Sequence, residues 1–471
     1  MDLSIATVLV LLLTIIAYAV KRRKCQWRGV NIPPGSMGLP LLGESVRYLI
    51  NPEQFVNERT DLYGKLFRTK LFGIPTVFST NAETNKFILS NEGSLFVPGY
   101  PESLKQMFGE WGFSSLRGEM HKRMRGVTLR FLNTEVLRNS LLSTVENSLV
   151  DNFKTWDGRT VNVLDEAQQI TFSFIADQLI SLNSGEELEK LKRDFHILKN
   201  GLFSLQVKVP GTTYYKSLQA RRRLVNQMTN IIEDRRKLMS HNDPYDDLLS
   251  TLLKSREDDH IKYPPLTSEQ MLDFLMSMFL AGFDATARTM TTIVQRLSEA
   301  PNVVKKLREE HKAIKQHKKE GEMLSWHDYK EMTFTRIVLK EILRLGINFS
   351  AGVYRETVRD VEIQGYTIPK GWKVISYSRS SHLDSKFYKD PLCFNPWRWQ
   401  EKDVNETVFA PFGGGNRLCP GNELALLQAS FFIHFLVTKF SWKLIDPQPK
   451  GSWFRSGFIF YNDILIEPRH L

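Results

Sequence analysis

The sequence predicts a mainly α-helical fold with small β-sheets, and three observations carry that expectation. Helical periodicity runs through most of the chain from Ala82 to His317. In Lys216 to Leu238, for example, Leu218, Leu224, Val225, Met228, Ile231 and Ile232 recur among basic residues. Strand signals are fewer and lie near the ends of the body. Lys65 to Ser79 is rich in Phe, Val and Thr, Val361 to Tyr377 carries Pro369-Lys370-Gly371 between two β-rich runs, and Ser456 to Ile466 reads as a late hairpin. Third, Thr267 to Glu299 reads as one long helix, with Thr267 and Gln270 as its capping box and Pro301 ending it.

Composition bounds the class. The chain has 471 residues, 42% hydrophobic and 24% charged, which excludes a disordered chain, a collagen-like fibre and a disulfide-stapled miniprotein. Its 63 Lys and Arg against 52 Asp and Glu suit an anionic membrane surface or an acidic protein partner. Nucleic-acid binding is not expected, because the basic residues are dispersed and no recognition motif occurs. The three cysteines, Cys25, Cys393 and Cys419, form no CxxC pair, so any cysteine chemistry belongs to one residue acting alone.

The first element is apolar. Leu3 to Val20 is uncharged and is followed at once by Lys21, Arg22, Arg23 and Lys24. Eighteen residues at ~1.5 Å rise span about 27 Å, the hydrocarbon thickness of the endoplasmic reticulum. The basic flank sits on the C-terminal side, which predicts a single-pass anchor with the body in the cytosol. A cleaved signal peptide would carry its charge on the other flank. Residues 1–24 are therefore read as anchor and basic flank, and residues 25–44, with Pro33-Pro34-Gly35 and Gly38-Leu39-Pro40, as a stiff spacer. Residues 45–471 are read as one large domain, since the polar breaks at Asn242–Pro244, Ser255–Pro265 and Gln316–Glu322 are loop-sized.

The long helix is unusual. Between Glu269 and Arg288 its only ionisable residues are Asp273 and Asp284, so it should be buried nearly all round. Gly282 interrupts it near Asp284 at a cost of about 1 kcal/mol relative to Ala. Two readings stand: something bulky approaches the backbone at Gly282, or a neighbouring helix packs there and Asp284 pairs with Arg288 at i,i+4.

Phe409–Gly421 reads FAPFGGGNRLCPG. Three consecutive glycines permit a backbone path closed to other residues. Cys419 stands just before Pro420-Gly421 and the amphipathic run Asn422 to Phe435, at a helix start whose free N–H groups favour thiolate. A lone thiolate on such a loop suits one axial bond to a heme iron; a buried free cysteine in a turn is the alternative.

This loop resembles the heme-binding signature of cytochrome P-450 enzymes, with Phe412, Gly415, Arg417, Cys419 and Gly421 in its defining places. Glu341-Ile342-Leu343-Arg344 and the Arg398 of Phe394–Trp399 match the family's structural trio, and the resemblance spans essentially the whole chain. It implies a mainly helical domain binding heme b, with Cys419 as the axial ligand. Arg125, Arg355 and Arg417 would meet the propionates, with His121 as a further donor. For Arg125 a solvated basic helix face is the alternative. His382 is expected to be structural, since a second axial histidine would block oxygen. In Ala281–Thr286 the resemblance puts Gly282 beside bound oxygen and makes Asp284 a proton relay. Ala285 stands where threonine is usual, and the next residue, Thr286, lies about 100° further round the helix.

A finer resemblance, through Pro33–Gly38, Gly211–Tyr215 and Phe394–Trp399, is to the plant clan that oxidises sterols, brassinosteroids, gibberellin precursors and triterpenoids. It implies a rigid apolar substrate, with Phe113, Phe279, Phe349, Val353 and Phe458 as pocket candidates or as ordinary core. The implied activity is that of a monooxygenase fed from NADPH through NADPH-cytochrome P-450 reductase, docking on the basic face around Arg123 and Arg130. An oxygen-independent isomerase or dehydratase is the alternative within the family, opposed by the intact Gly282 and Asp284. A heme-binding sensor or scaffold is the non-enzymatic one.

Overall fold

The computed structural model describes residues 29–40, 42–239, 245–258, 264–319, 321–346, 352–401, 406–445 and 464–470. The anchor Leu3–Val20, Cys25, the pocket candidates Phe349 and Phe458, the break Asn242–Pro244 and the first part of the hairpin Ser456–Ile466 lie outside them. No described helix is long and apolar enough to cross a membrane. The fold is mainly helical with small sheets, as the periodicity predicts. It divides into two compact units, Met1–Gly99 with Ser350–Ser381, and Tyr100–Phe349 with His382–Leu471.

In the first unit the strand-rich segments form a five-stranded and a two-stranded sheet. The strands are β1 (Leu66–Leu71), β2 (Ile74–Ser79), β3 (Phe96–Pro98), β4 (Val353–Thr357), β5 (Val361–Ile363), β6 (Tyr366–Ile368) and β7 (Lys373–Ser376). The larger sheet has the order β1-β2-β7-β4-β3, and β5 pairs with β6. Lys65–Ser79 is a hairpin, because Phe72 and Gly73 carry φ of 52° and 80°, the positive pair that a two-residue hairpin loop needs. Pro369-Lys370-Gly371 connects β6 to β7, which lie in different sheets. Tyr48, Phe55, Phe67 and Phe78 fill the core beneath β1 and β2.

The second unit is helical. Its principal helices are α1 (Glu102–Phe108), α2 (Gly118–Phe131), α3 (Val163–Ile180), α4 (Glu186–Asn200), α5 (Thr213–Met239), α6 (Ser268–Ser298), α7 (Pro301–Gln316), α8 (Thr333–Leu345) and α9 (Asn422–Lys439). The long helix α6 starts where the capping box predicts: Gln270 N–H donates to Thr267 Oγ1 at 3.2 Å, and Thr267 N–H donates to Gln270 Oε1 at 3.0 Å. Helix α9 is buried along most of its length. Its last turn is closed from α7, where Arg308 Nε and Nη2 donate to the Val437 and Phe440 carbonyls at 3.2 and 3.0 Å. The C-terminal strand Leu465–His470 pairs with Phe440–Leu444, the strand directly after α9.

The expected trio is present and larger than expected. Glu341, on α8, is fully buried. Its Oε2 accepts from Arg344 Nε at 2.9 Å and Trp399 Nε1 at 3.0 Å. Its Oε1 accepts from Arg344 Nη2 at 2.8 Å, and from Arg398 Nε and the Asn395 amide at 3.0 Å. The remaining guanidinium groups donate to backbone carbonyls: Arg344 Nη1 to His382 and Pro391, Arg398 Nη2 to Asp390 and Cys393. A buried ion pair with every donor and acceptor used is tolerable, whereas one partner left alone is not. Glu341→Ala is therefore expected to cost about 3–5 kcal/mol, and Trp399→Phe about 1 kcal/mol, read from urea unfolding. A Glu341→Ala midpoint equal to the wild type would refute this assignment.

Candidate active site around Cys419

The cysteine loop joins the short 3₁₀ turn Gly415–Arg417 to α9. Gly413 and Gly415 carry φ of 77° and 64°, so these two positions do need glycine. The Cys419 amide donates to the Phe412 carbonyl at 3.0 Å, which folds the loop back on itself. Gly421 is the N-cap of α9, so Cys419 does stand at the helix start. Burial pushes its thiol up, and the Gly421 amide and the Arg125 guanidinium pull it only part of the way back. The helix end therefore does not ionise the sulfur unaided, contrary to the expectation from its position. A metal cation at the sulfur would deprotonate it outright.

Two predicted propionate residues meet at this loop. Arg125, on α2, donates through Nη1 to the Leu418 carbonyl at 2.7 Å, and Arg417 donates to the Leu116 carbonyl. His121, one turn before Arg125, is buried with its ring centroid 5.6 Å from that of Phe113. Arg355 belongs to the first unit, where it is 1% exposed and its Nε has no hydrogen-bond partner among the described residues. An orphaned buried guanidinium nitrogen suits an anionic ligand. His382 is structural: its Nε2 accepts from the Ala410 amide at 3.1 Å, and its ring packs on Phe409. Arg123 does not belong to a basic face. It is buried, and its Nη1 donates to the Pro264 carbonyl at 2.6 Å, whereas Lys122 and Arg130 are exposed.

The middle of α6 has two different sides. On one, the space beside Gly282 is taken by Ile175 of α3, which a Cβ at that position would meet at 2.6 Å. This is the helix-packing reading of the glycine. On the same side, Asp284 accepts from Arg288 Nε at 2.7 Å, Lys199 Nζ at 3.0 Å and Gln168 Nε2 at 3.1 Å. Burial opposes its charge, but Arg288 and Lys199 overcome that and hold the carboxyl down at about 2. The Arg288 pair was legible at i,i+4. Lys199 and Gln168 were not, because they lie 85 and 116 positions away on other helices.

On the other side, Ala281 is exposed and Met278 and Ala285 are only half-buried, in a helix otherwise largely enclosed. Thr286 is buried. Small side chains with open space beside them, a lone sulfur on a glycine loop and cations at that loop form a donor set that suits a flat iron porphyrin with anionic edges. The pocket candidates divide. Phe113 is half-buried and Val353 opens β4, whereas Phe279 is fully buried, stacked on Phe195 at 4.9 Å and tilted on Phe172 at 5.7 Å, as ordinary core.

Comparison with known proteins agrees with this geometry. The pattern of the cytochrome P450 family matches residues 33–460. The chain is 40% identical over 446 residues to a 3beta,22alpha-dihydroxysteroid 3-dehydrogenase of Arabidopsis thaliana, covering 93% of each chain. It is 39% identical to a cholesterol 22-monohydroxylase of Paris polyphylla, covering 89% of each. It is 36% identical to an abietadienol/abietadienal oxidase of Pinus taeda, over 89% of this chain and 87% of that one. Among solved structures, retinoic acid-bound cyanobacterial CYP120A1 superposes with a TM-score of 0.83 at 26% identity, covering 94% of this chain and all of the other. Family pattern, relatives and fold agree along nearly the full chain, and the protein belongs to the cytochrome P450 family as one of its monooxygenases.

Proposed function

We propose that this monooxygenase oxidises a rigid apolar isoprenoid of sterol, triterpenoid or diterpenoid type, using dioxygen and electrons from NADPH delivered by NADPH-cytochrome P-450 reductase. The observation that carries the chemistry is Cys419, alone on its glycine loop at the start of α9. The substrate class is supported by the steroid and abietane diterpenoid oxidases among its relatives. The open side of α6 around Ala281 and Ala285 supports it too, since small side chains leave room for a bulky ring system.

Heme b, when bound, supplies the iron at which dioxygen is reduced and a C–H bond is oxidised. Cys419 Sγ would hold that iron, and Arg125, Arg417 and His121 of the same unit would hold the propionates. Asp284 is ionised at any working pH, so it acts as an acceptor. Its charge would orient the waters along which a proton from solvent passes inward, while Oδ1 stays occupied by Lys199 Nζ and Gln168 Nε2. Ala285 offers no hydroxyl to that chain, so an alcohol on the substrate or Thr286 completes it. Lys122 and Arg130 are the exposed cations of α2 that would meet an acidic reductase surface. Leu3–Val20 would tether the enzyme to the endoplasmic reticulum membrane with its body in the cytosol.

Cys419→Ser is expected to abolish the thiolate signature of the carbon monoxide difference spectrum, while Cys393→Ala and Cys25→Ala keep it; a normal spectrum in Cys419→Ser would end this reading. Asp284→Asn is expected to slow product formation about 100-fold, with Thr286→Ala costing far less and Ala285→Thr keeping or improving the product formed per NADPH. Because the Asp284 carboxyl sits at about 2, its charge is present above that value and lost only as pH falls through it. Asp284 should therefore add no limb to the wild-type pH–rate profile between about pH 5 and about pH 8. Equal uncoupling by Thr286→Ala would make Thr286 the relay alcohol, and turnover of a fatty-acid hydroperoxide without oxygen or reductase would favour the isomerase alternative. Deleting the residues before Arg28 should shift much of the protein to the soluble fraction, and a mature chain beginning after Val20 would show a cleaved signal instead.

A further inference from the structure

The segment between α1 and α2, Gly109–Leu116, forms a strap held at three points. At one end, Trp111 N–H donates to Asp273 Oδ2 at 3.2 Å, and Phe113 N–H donates to Ser277 Oγ at 3.0 Å. At the other, the Leu116 carbonyl accepts from Arg417, two residues before Cys419. The strap thus runs from α6 to the cysteine loop. Its two anchors on α6 are four residues apart, and the same interval continues to Ala281 and Ala285, the open side of that helix. The half-buried rings of Trp111 and Phe113 ride on this strap, and Phe113 packs edge-on against Phe274 at 5.8 Å.

We propose that Asp273 and Ser277 are positioning residues for the substrate: as side-chain acceptors one helical turn apart, they fix the strap so that Trp111 and Phe113 wall the substrate space beside Ala281 and Ala285. Both anchors are built for the purpose. Ser277 spends its proton on the Phe274 carbonyl at 2.6 Å, which turns its lone pairs to Phe113. Asp273 is 1% exposed, and the backbone at Gly109 comes so close that a Cβ there would lie 2.0 Å from its Oδ2. Burial raises the Asp273 carboxyl to about 6, against the pull of the Trp111 amide and of Arg221 on α5, with Glu269 and Glu110 adding to the push. In either protonation state an oxygen of Asp273 accepts from the Trp111 amide, and that bond is what holds the strap. Arg221, 3.4 Å away, is a long and weak partner.

The inference rests on the proposed function for what the strap covers, and the test separates the two. The full-length holoenzyme is compared with Asp273→Asn, Asp273→Leu and Ser277→Ala by amide hydrogen exchange and by the spectral shifts that clotrimazole, a bulky apolar azole, and imidazole induce. Exchange at the Trp111 and Phe113 amides should quicken in Asp273→Leu and Ser277→Ala and stay near wild type in Asp273→Asn, which keeps the acceptor. Clotrimazole affinity should fall about three- to tenfold in Ser277→Ala, the worth of one hydrogen bond, with imidazole unchanged. Should Asp273→Leu not fold, Ser277→Ala carries the test. Unchanged exchange in these variants, an Asp273→Asn as loose as Asp273→Leu, or equal weakening of both azoles would overturn the proposal. A wild type without any azole shift would strike the heme reading instead, and exchange alone would then decide the strap.

Discussion

The cysteine loop depends on a carboxylate that never touches it. Glu341 holds Arg344, Arg344 holds the His382 carbonyl, and His382 in turn accepts the Ala410 amide at the head of the loop. A second route runs through Trp399, which donates to Glu341 and packs on Phe409 at 4.7 Å. A glycine-rich loop has little conformational preference of its own. Its path is therefore imposed from outside, by a polar network that is costly to leave half-made. That is the physical reason for a fully buried ion pair in this unit.

The long helix α6 solves a different problem. Its charged group and its open stripe lie next to each other, Asp284 being one turn from Ala281. Asp284 is fixed among Arg288, Lys199 and Gln168 on the side packed by α3 and α4. The open stripe beside it carries Ala281 and Ala285 with the half-buried Met278. A carboxylate so tightly paired is a fixed acceptor, and any alcohol needed to complete a relay must come from elsewhere, because Ala285 has none.

Much of this was legible in the sequence, and what was not has identifiable causes. The α6 capping box, the Cys419 loop and the Glu341–Arg344–Arg398 trio rest on local spacing or on a specific motif, and each appears with the expected partners. The Phe72-Gly73 turn was hidden because Phe at positive φ gives no composition signal. Arg123 read as solvated since its neighbours are basic, yet its helix turns it inward to the Pro264 carbonyl. Phe279 stayed open between pocket and core, because periodicity cannot tell one apolar side of a buried helix from the other. Lys199, Gln168 and the strap anchors depend on contacts between distant helices, which spacing within one helix does not encode.

The central claim is that this chain splits dioxygen and puts one of its atoms into an apolar isoprenoid. Turnover of a panel of sterols and diterpene alcohols under isotopically labelled dioxygen, with NADPH and reductase, tests it most directly. The account predicts product that carries label from dioxygen and forms only when NADPH and reductase are both present. Product that forms without dioxygen, or whose new oxygen comes from water, would contradict it.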